Sequence, residues 1–580
     1  MKTDITIKIG GEAGQGIQTI GTLLAEVCHC AGLYIFSVDD FESRIRGGHS
    51  FSLLRISNEP VMAPGHLPDI LVAIDKRTME LNRDTLPSES MVILNSDTET
   101  GFKDNVLSIP LKGLAKEAGG LITANTVAAG AVLSLLGTPV EMLKDLMAKK
   151  FKAKGEKIIN LNVNAAQKGY DAAGEHRYHK QFDWSPEETS TVVISGAKAA
   201  GLGALASDCR FFPFYPMSPA TGVISSVIPY AGKLPVVVEQ AEDEIAAVNM
   251  AIGASFAGVR AMTSTSGGGF CLMTEGLGLA AMTETPLVVV NAQRPGPATG
   301  LPTRTAQPDL LFVINASQDA FPRFVFAPGT PAETFRTVKK AFNLAYKYQV
   351  PAIILLDQFL ATSQVTQENI FTVEPEESKE SDIEEEIEKV FESFTVTDDD
   401  FEDPETYKRF ELTPDGISPR AVPCMGKAIV RVTGNEHDEK GGISEDAANK
   451  IRMNSKKDAK LSFMVKEMEM PDILHPESHF MLTGWGSSRG IIIEACELLR
   501  EKGADVGCIM FNDIWPMDPE QLKSSLAGKK LVMVEQNSNC QMGRLIAQET
   551  GIMYHEAILK DDGRPLYPEY IVEKASGIVG

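Results

Sequence analysis

Four clusters between Phe214 and Gly300 constrain this chain more than any other part of it. They are Tyr215-Pro216-Met217-Ser218-Pro219, Val238-Glu239-Gln240-Ala241-Glu242-Asp243-Glu244, Thr265-Ser266-Gly267-Gly268-Gly269 and Gln293-Arg294-Pro295-Gly296-Pro297. Each follows an apolar run that reads as a buried strand. Hydroxyls, acids and an arginine are therefore delivered at strand ends, which is where open parallel sheets build ligand sites. The expected class is α/β, multi-domain and doubly wound, with mostly parallel sheets.

The chain has 580 residues, too many for one core. A first unit, 1–177, begins with a strand over 5–9, a glycine-rich turn and a helix from about 17 to 31. Further strands at 69–75 and 91–95 continue the alternation expected of a layered α/β domain. Residues 178–188 are polar, contain a proline and read as a linker. A second unit, 189–367, carries strands at 236–238, 287–290 and 352–356, with helices over 242–256 and 331–348. The stretch 368–475 breaks the composition. Its segments 374–388 and 398–403 are dense in acid and read as solvated linker. Residues 406–475 read as irregular. A last unit, 476–580, has strands at 480–484 and 530–535 around a helix over 488–502.

The chain carries 55 basic and 78 acidic residues, for a net charge of -23. That balance argues against nucleic acid or an anionic membrane as the main partner. No apolar run is long enough to span a bilayer. The N-terminus alternates like a strand and lacks a signal pattern, so a cytoplasmic location is expected. Eight cysteines are scattered with no Cys-x-x-Cys. Neither an iron–sulfur nor a zinc framework is visible, and no metal site is expected on this chain. Electron-transfer centres, if the reaction needs them, belong on another chain.

Each constellation also has a plainer reading. Gly10-Gly11-Glu12-Ala13-Gly14-Gln15-Gly16 joins a strand to a helix, where glycines let backbone approach a ligand and the helix start favours an anion. Packing of the helix on the strand explains the glycines equally well. The spacing is not the dinucleotide fingerprint, which disfavours an NAD-dependent dehydrogenase, and no P-loop occurs. Arg44 and Arg46 offer positive charge nearby, or are surface arginines beside a turn. Glu242 and Glu244 open a helix, where carboxylates are stabilising anyway. A sharper role is to face a thiamine aminopyrimidine, whose ring nitrogen needs a carboxylate to reach the imino tautomer. The Tyr215–Pro219 turn presents Tyr and Ser hydroxyls suited to a carboxylate or keto group; alone it is only a turn. Arg294, fixed before Pro295-Gly296-Pro297, suits carboxylate or phosphate recognition, or a surface ion pair. His437, Asp438 and Glu439 in the turn-rich segment 434–442 read as a solvated turn rather than a metal site.

Taken together, these clusters resemble the 2-oxoacid:ferredoxin oxidoreductases, and the resemblance covers nearly the whole chain. Residues 1–177 look like the family's γ-type domain. Residues 189–367 look like its pyrimidine-binding domain, and 476–580 like a transketolase C-terminal domain, fused in γ–α order. The resemblance implies that Tyr215 and Ser218 (where a threonine is usual) contact the 2-oxoacid. It further implies that Glu244, with Glu242 as fallback, holds the aminopyrimidine. Arg294 would meet a substrate carboxylate or coenzyme A, and the turn carrying Gly11, Gly14 and Gly16 would lie near coenzyme A. Thr303-Arg304-Thr305-Ala306-Gln307 departs from a more usual Thr-Lys-Thr-Glu-Gln.

The family's Gly-Asp-Gly…Asn-Asn segment for Mg²⁺ and diphosphate is missing here. Mg²⁺ and a 4Fe-4S cluster are therefore expected on a β-type partner subunit, with activity only in a complex, a dimer of heterodimers, that reduces ferredoxin. The implied reaction is CoA-dependent oxidative decarboxylation of a 2-oxoacid, 2-oxoglutarate first, with pyruvate, branched-chain and aryl 2-oxoacids as alternatives. A non-catalytic thiamine- or CoA-binding regulatory protein is the alternative of another class.

Overall fold

The computed structural model describes residues 2–12, 14–42, 48–96, 105–185, 190–370, 396, 403, 406–424 and 426–579. The acidic segment 374–388, nearly all of 398–403, and Arg44 and Arg46 lie outside the described residues. The chain forms two compact units: Met1–Ser195 with Thr362–Asn369, and Gly196–Ala361 with Ile370–Gly580.

The first unit is built on one eight-stranded sheet. Its strands are β1 (Asp4–Glu12), β2 (Tyr34–Asp40), β3 (His49–Ser57), β4 (Ile70–Ala73), β5 (Met91–Asn95), β6 (Val106–Ile109), β7 (Thr191–Ile194) and β14 (Gln364–Glu368). The order is β6-β5-β4-β1-β3-β2-β14-β7. β1, β4, β5 and β6 run parallel, as the strand–helix alternation predicts. The other half is antiparallel, from β1–β3 through β14–β7. β14 was expected in the second unit. It instead fills the place between β2 and β7, where its backbone groups are paired on both sides.

Ile5, Ile7 and Ile9 are fully buried along β1, and Ile20, Leu23, Leu24 and Val27 of the helix Ile17–Cys30 join the same core. The helices Ala124–Leu135 and Glu156–Ala173 meet through a reciprocal glycine contact. A Cβ on Gly130 would lie 2.2 Å from the Ala166 carbonyl oxygen, and one on Gly169 would lie 1.9 Å from that of Val127. Residues 178–185 pack on this unit rather than forming a free linker. Tyr178 is buried and donates to Asp69 at 2.8 Å, and Trp184 donates to the Leu136 carbonyl at 3.0 Å.

The second unit contains β8 (Phe211–Phe214), β9 (Val237–Gln240), β10 (Met262–Thr265), β11 (Leu287–Gln293), β12 (Phe324–Phe326) and β13 (Pro351–Asp357). Later come β15 (Asp472–Leu474), β16 (Phe480–Trp485), β17 (Val506–Phe511), β18 (Asp513–Trp515), β19 (Lys530–Glu535) and β20 (Glu556–Leu559). One sheet is ordered β10-β11-β13-β12-β18 and another β15-β17-β16-β19-β20. Both are parallel except at the edge strands β18 and β15. Because β18 pairs with β12, the segment expected as a separate unit at 476–580 shares a sheet and a core with the middle of the chain.

The segment 406–475 is more ordered than its composition suggests. It contains the helix Ala447–Ala459, capped by Asp446 through the Asn449 amide. His437 is not in a solvated turn: it is 3% exposed, stacks on Phe410 with centroids 3.8 Å apart, and bonds the Met282 carbonyl at 3.1 Å.

Candidate active site

The four clusters converge within the second unit. β8 and β9 pair in parallel, and Phe211 bridges to Ala261 beside β10. β9 is not the buried strand its valines suggest: Val237 is 58% exposed, because β9 is paired on one side only. At its end, Asp243 takes an extended backbone and accepts the Ala246 amide at 2.8 Å, which starts the helix Glu244–Phe256. Glu242 precedes the cap and is exposed. Glu244 is 3% exposed, and its Oε1 has no hydrogen-bond partner.

That carboxyl is held above its ordinary range, first by burial and then by the Asp243 charge, against the opposing pull of its own backbone amide and Arg294. Gly269 forms a cradle for it. A Cβ there would stand 2.5 Å from Glu244 Oε1 and 2.2 Å from Thr265 Oγ1. Gly269 lies in the first turn of the helix Gly267–Met282, so the glycine run is used to bring a helix start against the acid.

Arg294 follows β11 and is 8% exposed. Its Nη1 donates to the Ser218 carbonyl at 2.6 Å, tying the β11 end to the Tyr215–Pro219 turn, while its Nε is buried without a partner. Ser218 is exposed and Tyr215 half-buried. Thus Ser218 meets Arg294 through its backbone, and its hydroxyl is not what that bond uses.

Asn291 and Asp309 belong to none of the four sequence clusters. Asn291 Nδ2 donates to Asp309 Oδ2 at 3.1 Å, and burial lifts the Asp309 carboxyl to about 6. Pro308-Asp309 ahead of an apolar run was the available signal, but it reads as a helix start. Glu244 Oε1, Ser266 Oγ, Asn291 Oδ1 and Arg294 Nε are all buried and unpartnered. Folded interiors seldom leave such atoms unpaired, and Glu244, Ser266 and Arg294 among them belong to three of the four sequence clusters. A single free carboxylate oxygen in a glycine cradle fits one ring nitrogen of an aminopyrimidine, and the arginine edge fits a carboxylate.

The glycines of the first unit divide into two sets. Gly11 lies inside β1. Gly14 and Gly16 form the turn, at φ +91° and +75°, and Gly16 abuts Asn125, whose Nδ2 would be 1.9 Å from a Cβ. Such backbone angles favour glycine without reference to a ligand. Among the described residues no group of three or more His, Cys, Asp or Glu could hold a metal ion, and no helix is long and apolar enough to cross a membrane.

Residues 202–457 match the family model described as pyruvate flavodoxin/ferredoxin oxidoreductase, thiamine diphosphate-binding. Residues 6–172 match pyruvate ferredoxin/flavodoxin oxidoreductase. The chain is 33% identical to the 2-oxoacid:ferredoxin oxidoreductase subunit alpha of a Sulfolobus species, covering 97% of this chain and 95% of that one. It is 28% identical to the 2-oxoglutarate oxidoreductase subunit KorA of Mycobacterium tuberculosis, over 96% and 92% of the two chains. A solved 2-oxoglutarate:ferredoxin oxidoreductase from Magnetococcus marinus, with 2-oxoglutarate, coenzyme A and succinyl-CoA bound, matches with TM-score 0.89 and 31% identity over the whole of both chains.

Proposed function

The chain belongs to the 2-oxoacid:ferredoxin oxidoreductases, among their alpha subunits, and on that premise we propose that it provides the pyrimidine-binding half of a thiamine diphosphate site that oxidises 2-oxoglutarate. The reaction is 2-oxoglutarate plus CoA giving succinyl-CoA and CO₂, with two electrons leaving singly to ferredoxin. The observation that carries the reading is the buried, unpartnered Oε1 of Glu244 in the Gly269 cradle. When bound, the thiamine supplies a carbon nucleophile for the keto carbon and a sink for the electrons left after decarboxylation.

This chain's residues do the holding. Glu244 bonds the aminopyrimidine ring nitrogen and keeps a proton shared there, a task suited to a carboxyl whose affinity for protons is raised by burial. The free Nε edge of Arg294 receives a substrate carboxylate, while its Nη1 keeps the Ser218 turn in place. The Tyr215 and Ser218 hydroxyls, carried by that turn, orient the keto group. In the first unit, the end of β1 that holds Gly11 and the turn that holds Gly14 and Gly16 take coenzyme A. Mg²⁺, the diphosphate and a 4Fe-4S cluster sit on a β-type partner, since this chain lacks the Gly-Asp-Gly…Asn-Asn segment and any cysteine pair of cluster spacing. The name of the mycobacterial relative and the ligands of the Magnetococcus structure support 2-oxoglutarate as substrate.

The test is anaerobic co-purification of the tagged chain from its native cells, followed by CoA-dependent viologen reduction with a panel of 2-oxoacids. A cluster-bearing partner and selective turnover of 2-oxoglutarate are expected. Selective turnover of another 2-oxoacid would replace the substrate, and a partner-free chain that binds thiamine or CoA without turnover would replace the enzyme reading.

A further inference from the structure

Asp309 is gripped from the end of β11. Asn291 Nδ2 donates to its Oδ2 at 3.1 Å, and its backbone N–H donates to Gln293 Oε1 at 3.0 Å. Gln293 is itself fixed by donating to the Leu356 carbonyl at 3.1 Å. The carboxylate is pressed against the start of the helix Gly267–Met282, where a Cβ on Gly267 would lie 2.5 Å from Oδ2 and 2.8 Å from Oδ1. Asn291, Gln293 and Arg294 belong to the same strand end, so the elements that fix Asp309 also fix the arginine.

The acid forms no direct ion pair with Arg294, yet it is the leading opposite charge acting on that guanidinium, ahead of Glu244. Two acids therefore act on Arg294, whose Nε is buried and unpartnered.

We propose that Asp309 is a positioning residue that acts through Arg294: its charge state sets how strongly the guanidinium receives the 2-oxoacid carboxylate. This rests on the reading of Arg294 as the substrate-carboxylate site. An ionised Asp309 partly neutralises Arg294 and repels the incoming carboxylate; a protonated one does neither. Substrate binding therefore draws a proton onto Asp309. The groups facing it are Asn291 from β11 and Arg294 just after it, the Cys271 thiol from the glycine-led helix, and Glu244, which also acts on Arg294. Burial already lifts this carboxyl to about 6, so it is largely ionised at neutral pH in the free site and is available to take up a proton.

Asp309→Asn keeps an acceptor for Asn291 and removes the charge. In the assembled complex, the apparent KM for 2-oxoglutarate of the wild type should climb from pH 5.5 to pH 8. In Asp309→Asn it should stay nearly flat and at pH 8 be lower by roughly fivefold or more, the lower end of coupling between interacting sites. The KM for CoA should not move. Independently of turnover, calorimetric titration of 2-oxoglutarate into the complex, in buffers of different ionisation enthalpy at pH 7, should report proton uptake in the wild type and none in the variant. Binding with no proton uptake in the wild type, or a variant KM that follows the wild-type pH curve, would overturn the inference. Failure of the wild-type complex to bind any 2-oxoacid would instead remove the substrate-site reading, and the inference with it.

Discussion

Arg294 and Ser218 are joined by a bond from Nη1 to the Ser218 carbonyl, 2.6 Å long, at the junction of β11 and the Tyr215–Pro219 turn. One edge of the guanidinium is thereby spent on shaping the turn, while Nε, the edge proposed for the substrate carboxylate, is buried without a partner. Arg294→Ala removes both functions. The expected loss is roughly 2–4 kcal/mol in kcat/KM for the 2-oxoacid, the size of a charged hydrogen bond lost from a dry site. Arg294→Lys should recover only part of it, because a point charge cannot serve the turn and the ligand through separate edges. Steady-state kinetics of the complex decide this; an unchanged KM for both 2-oxoacid and CoA takes Arg294 out of the site.

Glu244 gives a prediction with opposite signs for activity and stability. Glu244→Gln should lower kcat of the complex by roughly 10²–10⁴-fold, the range of a lost acid–base group. The same change should raise the melting temperature of the cofactor-free chain at neutral pH, because it removes a buried charge with an unsatisfied oxygen. The folded carboxyl has its pKa raised above the unfolded value. The folded state thus holds the proton more tightly, and ionisation costs stability as pH rises from the unfolded value through the folded one. The thermal gain of the variant should accordingly be absent in acid and complete above that window. Thermal melts across pH, paired with turnover, test it; near-normal activity would shift the role to Glu242.

Much of this site was readable because glycine and proline punctuate apolar strands. Tyr215–Pro219 follows β8, and Gly267–Gly269 and Pro295–Pro297 follow the paired strands β10 and β11. Asp243 marks the start of the helix that opens with Glu244, since a short acid before an apolar run is a cap. What escaped was decided by distant partners. Val236-Val237-Val238 looks like any buried strand until β9 proves to have one neighbour only. His437 sits among polar turn residues, yet is buried by Phe410 and Met282, which are remote in sequence. The pairing of β14 with β2 and β7 depends on a return of the chain over more than a hundred residues. Asp309 carries no motif; its meaning comes from Asn291, Gln293 and Gly267 together.

The reciprocal contact of Gly130 and Gly169 makes the first unit sensitive to a single methyl group. Each Cβ would be driven against a backbone carbonyl oxygen, 2.2 Å and 1.9 Å away, which no side-chain rotation relieves. Gly130→Ala and Gly169→Ala should each destabilise the unit by about 1–3 kcal/mol, the range for overpacking a filled core, despite alanine's better helix propensity. Since both act on one pair of helices, the double variant should cost less than the sum of the two. Denaturant midpoints followed by hydrogen exchange on 124–135 measure this; a stabilised Gly130→Ala would show that the helices separate freely.

Glu284 is the hinge of charge for the segment 406–475. It is buried and accepts from Lys456 Nζ at 2.5 Å and Lys460 Nζ at 2.7 Å, both lysines lying nearly inaccessible. Arg409 adds a third cation, donating to the Glu284 carbonyl at 2.7 Å and to Gln349 at 2.8 Å. Burial alone would raise the Glu284 carboxyl, but Lys460, Lys456 and Arg409 outweigh it and hold the group well below the carboxylate range. A depressed acid contributes stability above its unfolded value, near 4.3, and that contribution is lost as pH falls towards the folded value. Glu284→Gln strands three buried cations and should cost roughly 3–5 kcal/mol at neutral pH. The gap to the wild type should narrow progressively below about pH 4, where the unfolded chain takes up a proton that the folded carboxylate still refuses. Replacing Glu284, Lys456 and Lys460 together by methionine should cost far less than Glu284→Gln, because desolvation of the ions vanishes with the ions. Limited proteolysis of 406–475 and denaturant midpoints at pH 7 and pH 4 separate these outcomes. An Glu284→Gln protein as resistant as the wild type at pH 7 would mean that the lysines find water there, and that the segment is held by its apolar contacts alone.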